Sequence, residues 1–204
     1  MLVKHIHLPF LALGRSELAQ QYAWFDFDNH AGSRLAVARL AALGHRRIAW
    51  LGSSNRQTYV KQRPRGYLDG MAQAALPVPQ AYCLEAEANR RDGFLATQRL
   101  LALPSPPTAI ITDCNMHGEG AANALQQAGL LDRISLIAYD GLPADSLVTR
   151  NVTPILQATR AEVGKQIAAM TCALIEGEPV DNLQVLWQPT LGEGDTARAP
   201  YGDE

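Results

Sequence analysis

From residue 32 onward the sequence predicts an α/β fold, a parallel sheet with helices on both faces, and three observations carry that expectation. Helical and strand patterns alternate along the chain, as βαβ units require. The strand segments are short and continuously apolar, which suits strands buried on both faces. Glycine and proline punctuate the helix ends, as at Gly44, Pro77 and Gly129.

Asp28 or Asn29 can cap a helix running through Leu35, Ala36, Leu40 and Leu43, with Gly44 as its stop. Arg47 to Gly52 reads as a buried strand. A second helix fits Arg65 to Ala75, ended by Pro77 and Pro79, and Tyr82 to Leu84 is a short strand. Another helix fits Gly93 to Leu103. The clearest unit follows, with strand Thr108 to Thr112, helix Gly118 to Ala128 closed by Gly129, and strand Ile134 to Tyr139. After Pro154, Ile155 to Gln157 leads into an amphipathic helix carrying Val163, Ile167, Met170, Leu174 and Ile175. Leu183 to Trp187 is a last strand. The tail 192–204, rich in Gly, Asp, Glu and Pro, is expected to be disordered. The opening differs from all this: Phe10 to Leu13 and Trp24 to Phe27 read as two strands with no helix between them long enough for a crossover, so the first 28 residues look like an incomplete lobe.

Composition narrows the function. With 204 residues and 47% hydrophobic content the chain can bury a real core. Eighteen basic against twenty acidic residues leave a formal charge of −2, which provides no overall field to attract a phosphate backbone. Cys83, Cys114 and Cys172 form no CxxC and suit a reducing cytoplasm. No stretch approaches a membrane span, and the opening residues lack the features of a signal peptide.

In open parallel sheets ligands sit beyond the carboxyl ends of the strands. The residues following successive strands are Ser53, Ser54 and Asn55; Glu85 and Glu87; Asp113, Cys114 and Asn115; and Asp140, with Arg63 on the segment leading into the second helix. This set holds carboxylates, amides and a guanidinium but no nucleophile with its base, so a binding role is expected and an enzymatic one is not. A carboxylate accepts from vicinal sugar hydroxyls while arginine donates to oxygens, work that Asp140 and Arg63 suit. Spacing also allows Asp140 as a turn residue in Tyr-Asp-Gly and Arg63 as a solvated helix start.

Weaker motifs add little. Gly118-Glu-Gly120 is a degenerate dinucleotide fingerprint with Asn123 in place of its third glycine. His5 with His7, and Cys114 with His117, have metal-like gaps, yet neither pair has two further ligands nearby in sequence, so loop and core roles are expected and no metal or cofactor is assigned. His45, Arg46 and Arg47 make only a small basic cluster.

Several phrases in matching order and spacing resemble the effector domain of the LacI family: Phe27-Asp-Asn29, Leu43-Gly-His-Arg-Arg-Ile48, Arg63-Pro-Arg-Gly-Tyr67, Pro107-Thr-Ala-Ile110, Gly120-Ala-Ala-Asn-Ala-Leu125 and Ala138-Tyr-Asp140. The resemblance runs from about Pro9 to Leu191. It implies a periplasmic-binding-protein-like type I fold of two lobes with the effector between them, the C-terminal lobe complete and the N-terminal lobe truncated. On that reading residues 1–29 and 153–179 are the remnant of the N-terminal lobe, and residues 30–152 with 180–191 the C-terminal lobe. The family's helix-turn-helix head has no counterpart among these residues, which implies a piece of a longer protein.

Carried over position by position, Arg63 matches the family's effector-binding arginine and Asp140 the acidic residue at its strand end. The family's Asn-Asp pair is Cys114-Asn115 here, so a carboxylate is lost and an amide kept. Ser53 and Asn55 join the expected site, as does Gly14 at the turn after the first strand. Stacking on the effector falls to Tyr59, to Trp24 or to no residue at all, since Ala88 stands where some relatives have an aromatic residue. The implied partners are a small effector, most often a sugar in this family, a second copy in a homodimer, and operator DNA reached only through the head. A sugar receptor of a transport system, with the same fold, is the rival reading.

Overall fold

A computed structural model describes residues 9–15, 21–54 and 57–201. Asn55, His5 and His7 lie outside the described residues. The chain divides into two compact units, Met1–Asp28 with Gln157–Gln188, and Asn29–Leu156 with Pro189–Glu204.

The larger unit is the α/β layer structure that the sequence predicts. Its strands are β3 (Ile48–Ser53), β4 (Cys83–Ala86), β5 (Ala109–Thr112), β6 (Ser135–Tyr139), β7 (Thr153–Leu156) and β9 (Thr190–Leu191), in the order β4-β3-β5-β6-β7-β9. All pair in parallel except β9, which runs antiparallel to β7. Helices α1 (Asn29–Ala42) and α2 (Tyr59–Gln73) cover one face, and α3 (Arg90–Leu101) and α4 (Asn115–Gln127) the other. The two-residue period of a strand sorts the core. Ile48, Trp50, Ile111, Ile137 and Tyr139 pack with Val37, Leu40, Tyr67 and Met71. Ala49, Ile110, Leu136 and Ala138 pack with Leu100, Ala121 and Leu125 on the opposite face.

Three helix starts lie earlier than the sequence suggests, because Gly93 and Gly118, read as starts, and Pro64, just before the expected start at Arg65, sit inside helices. α3 begins at Arg90, where the Asn89 side chain caps the Asp92 amide at 2.9 Å. Gly93 and Gly120 lie within α3 and α4 because those helices approach closely. A Cβ at Gly93 would stand 2.8 Å from His117 Cα, and one at Gly120 would collide with the Arg90 carbonyl oxygen. Pro64 lies inside α2, one turn past its start.

The smaller unit has three parallel strands, β1 (Leu11–Leu13), β2 (Ala23–Phe27) and β8 (Gln184–Trp187), in the order β1-β2-β8. Helix α5 (Arg160–Ile175) covers one face through Val163, Ile167, Met170 and Leu174, against Ala23 and Phe25. A reciprocal cap between Thr159 and Glu162 starts it.

Three expected boundaries are corrected. Asn29 joins the larger unit, because it opens α1. Residues 153–156 join the larger unit, because β7 pairs with β6, and 180–188 join the smaller one, because β8 pairs with β2. The described part of the tail, 192–201, is ordered against the larger unit despite its composition. Thr196 Oγ1 donates to the Leu136 carbonyl at 2.6 Å, and Arg198 N donates to Ser135 Oγ at 3.0 Å. Fully buried His45 donates from Nε2 to the Arg198 carbonyl at 2.7 Å, and its Nδ1 lies 2.9 Å from Thr108 Oγ1. No helix among the described residues is long and apolar enough to cross a membrane.

Candidate functional site

The carboxyl ends of β3, β5 and β6 and the first turns of α1, α2 and α4 meet at one rim of the larger unit, where a parallel sheet presents ligand-binding groups. Arg63 is central. It is only 5% exposed, which rules out a solvated helix start. Its Nε donates to Asn29 Oδ1 at 2.8 Å, and one Nη donates to the Asp113 carbonyl oxygen. The guanidinium carbon lies 3.7 Å from the Tyr139 ring centroid and 4.4 Å from that of Tyr59. Two hydrogen bonds and two aromatic faces thus hold a planar donor still, and the two bonds use two of its five N–H groups.

A second layer fixes those partners. Tyr139 donates its hydroxyl to the Asn29 carbonyl at 2.6 Å and stands 3.0 Å from Ser33 Oγ. Burial pushes the Tyr139 hydroxyl up to about 12, with the Arg63 charge and the Ser33 bond opposing, so it stays protonated at neutral pH. Asn29 Nδ2 reaches Gln62 Oε1 at 3.3 Å.

Beside Arg63 lies a buried polar corner. Asp113 accepts from the Ser53 amide at 2.6 Å and the Ser53 hydroxyl at 2.9 Å, and stands 3.0 Å from His117 Nδ1. His117 Nε2 donates to the Glu87 carbonyl at 2.8 Å. Desolvation lowers the imidazole's proton affinity, but its bonds with Asp113 and Cys114 outweigh that and hold its pKa up at about 10. The surroundings of His117 thus favour its protonated form.

Asp140 follows β6 in a turn where it and Gly141 have φ of 60° and 66°. Its amide donates to the Ile155 carbonyl at 3.0 Å while the side chain is exposed. Desolvation by the surrounding protein raises its carboxyl above the ordinary value, and the Arg63 charge opposes this. Asp140 is therefore both the turn residue and a carboxylate within the field of Arg63.

Of the expected residues, Arg63, Ser53, Cys114, Asn115 and Asp140 gather at this rim, with Cys114 and Asn115 half-buried at the start of α4. Gly14 belongs to the smaller unit, where its φ is 89° and its amide donates to the Phe25 carbonyl at 2.8 Å. Trp24 of that unit lies under Arg15, 5.3 Å from guanidinium to ring centroid. Sequence reasoning passed over the parts played at the rim by Asn29, read as a cap, and Tyr139, read as the end of a strand, and it missed the pairing of Asp113, named there singly, with His117. The pair had a signal, since two ionisable residues four apart at a strand-to-helix junction share a helix face.

Comparison with known proteins identifies the family. Residues 2–188 match the family described as periplasmic binding proteins and sugar binding domain of LacI family. The chain is 43% identical over 204 residues to the HTH-type transcriptional regulator RafR of Escherichia coli, covering 97% of this chain and 60% of that protein. It is 31% identical over 179 residues to the HTH-type transcriptional regulator AglR of Rhizobium meliloti strain 1021, covering 86% and 50%. Among solved structures, a Yersinia pestis biovar Microtus str. 91001 protein described as a transcriptional regulator matches with a TM-score of 0.92 and 58% identity, over 95% of this chain and 70% of that one. A LacI-family regulatory protein of Chloroflexus aggregans matches with a TM-score of 0.86 and 33% identity, over the same shares. The chain spans 60% of RafR and 50% of AglR.

Proposed function

The chain belongs to the LacI family of regulators and periplasmic binding proteins, and from that premise we propose that it is the sensing part of a cytoplasmic transcriptional regulator, taking a neutral sugar at the Arg63–Asp140 rim. The observation that carries this reading is the immobilised guanidinium: Arg63 is held by Asn29, Asp113, Tyr59 and Tyr139 with N–H groups to spare. A donor fixed in advance loses little entropy when it meets a ligand oxygen. Asp140 supplies the complementary acceptor for hydroxyls, and Asn115 an amide that does both. The rim places the acidic side chains of Asp113 and Asp140 beside Arg63, which favours an uncharged polyol over a sugar phosphate.

Binding makes and breaks no covalent bond. It shifts the population of regulator states by the ligand's differential affinity for them. The proposed output, from a homodimer, is operator binding through a helix-turn-helix segment of the kind for which the relatives are named.

The test is a thermal-shift and calorimetric screen of neutral mono- and oligosaccharides, sugar phosphates and purines, with Arg63→Lys and Asp140→Asn beside the unaltered chain. A ligand that binds only the native state must raise its melting temperature. Stabilisation by a neutral sugar, lost in both variants, supports the reading; binding that survives both substitutions moves the site elsewhere, and a hit confined to phosphates or purines changes the ligand class.

A further inference from the structure

Three side chains with metal-ligating atoms meet where β5 gives way to α4. Asp113, Cys114 and His117 bring a carboxylate oxygen, a thiol sulfur and a ring nitrogen within 4.8 Å of one another. We propose that they form a binding site for one thiophilic divalent cation of the zinc class, a function that the sugar reading neither requires nor supplies.

What carries the assignment is orientation. A metal-binding histidine donates its other ring N–H to a carbonyl or carboxylate, which fixes the nitrogen that faces the metal. Here His117 Nε2 donates to the Glu87 carbonyl at 2.8 Å, leaving Nδ1 turned toward Asp113 Oδ1 at 3.0 Å. A ligating carboxylate is likewise held from behind. Asp113 Oδ2 is held by the Ser53 amide at 2.6 Å and Oδ1 accepts from the Ser53 hydroxyl at 2.9 Å, and that same hydroxyl oxygen lies 3.9 Å from Cys114 Sγ. Asp113 and His117 are therefore already held from behind, and Cys114 stands beside them at the start of α4.

Size and chemistry agree. Tetrahedral zinc, with bonds of about 2.0–2.3 Å, spaces its donors roughly 3.3–3.8 Å apart. The Asp113–His117 contact at 3.0 Å would open by a few tenths of an ångström to admit it. One sulfur, one nitrogen and one oxygen donor select zinc over magnesium or calcium. Cys114 is half-buried, so the cation can be reached from solvent, and a fourth position stays open to water. On binding, the thiol and the imidazolium each release one proton to solvent, and their lone pairs pass to the metal.

The experiment titrates the 204-residue chain, reduced and stripped with chelator, first with Co²⁺ as an optical probe and then with Zn²⁺, with no sugar present. One cobalt per chain, a thiolate-to-cobalt charge-transfer band and its displacement by zinc are expected. Cys114→Ser should abolish the band and weaken zinc binding by more than about tenfold, while Cys172→Ser, at an exposed thiol, should change neither. His117→Gln should also lose the band; if circular dichroism shows that variant unfolded, Cys114→Ser decides. A band absent from the unaltered chain, or one that survives Cys114→Ser, overturns the proposal and leaves a hydrogen-bonded corner. Either result leaves the sugar reading to stand or fall on its own screen.

Discussion

Replacing Arg63 by methionine keeps much of the stem and removes the guanidinium, so it isolates what holds that group in place. Lost are a bond to Asn29 Oδ1 at 2.8 Å and one to the Asp113 carbonyl, each worth about 1.5–3 kcal/mol when a charged group takes part. Two aromatic faces go with them, at roughly 0.5–2 kcal/mol for a desolvated cation. Against these losses stands relief from burying a charge, which costs several kcal/mol when its pairing is incomplete. The balance is a destabilisation of about 2–4 kcal/mol, or a fall in melting temperature of roughly 4–16 °C. A single variant cannot separate the hydrogen bond from the packing, so the assay is a double-mutant cycle with Asn29→Ala, read from urea midpoints. Asn29 also bonds Gln62, but that loss appears on both sides of the cycle and cancels. The coupling energy between Arg63 and Asn29 is expected at about 0.5–3 kcal/mol. Additivity within about 0.5 kcal/mol would refute the claim that Asn29 anchors the guanidinium.

Three further outcomes follow from the geometry. Gly66→Ala places a methyl against the His30 carbonyl where α1 and α2 cross and should cost about 1–3 kcal/mol or more, whereas Gly164→Ala in α5, with nothing within 4 Å, should gain about 0.5–1 kcal/mol; equal effects in denaturant melts would contradict that crossing. Asp140→Asn keeps a residue suited to a φ of 60° and removes the carboxylate, so sugar binding should fall with little change in the stability of the ligand-free protein; Asp140→Ala should instead lose roughly 1–2 kcal/mol to left-handed strain. Burial lowers the pKa of His45, with the Arg198 carbonyl opposing, so the unfolded chain takes up its proton first. That contribution to stability is present above about pH 6.5 and is lost as pH falls toward the folded value, and hydrogen exchange should show residues 192–201 opening over that range. An unchanged exchange rate there would detach His45 from the tail.

The sequence exposed the parts of this site that chain order and chemistry reveal together, and hid the parts that only folding brings together. The β3, β5 and β6 segments were legible from apolar runs, and their ends pointed to Ser53, Cys114, Asn115 and Asp140 because a parallel sheet must present its strand ends to ligands. Asn29 was hidden because its contact with Arg63 spans 34 positions, so a capping role exhausted what local sequence could say. The tail was misread for a related reason. Its composition resembles a disordered segment, yet a few groups suffice to dock it: the Thr196 hydroxyl, the Arg198 backbone and the His45 ring. Glycines misled in the opposite sense, since Gly93 and Gly118 read as helix starts while their lack of a side chain serves close packing against His117 and Ala138.

The two most specific phrases acquire a physical meaning that a pattern match lacks. In Arg63-Pro-Arg-Gly-Tyr67, the arginine faces the rim, the glycine lets α2 cross α1 at His30, and the Tyr67 hydroxyl donates to the Ile48 carbonyl at 2.9 Å beneath β3. In Leu43-Gly-His-Arg-Arg-Ile48, Gly44 with a φ of 98° ends α1, His45 ties the tail to the sheet, and Arg47 donates to the Pro106 carbonyl at 3.1 Å. One phrase therefore couples the binding arginine to a helix crossing, and the other couples a helix end to the tail that closes the sheet. A substitution at Gly66 is then expected to disturb ligand affinity without touching the ligand, because it moves the helix that carries Arg63. If Gly66→Ala lost stability but bound sugar with unchanged affinity, the helix crossing would be a matter of folding alone and the position of Arg63 would be set by Asn29, Asp113 and its two tyrosines.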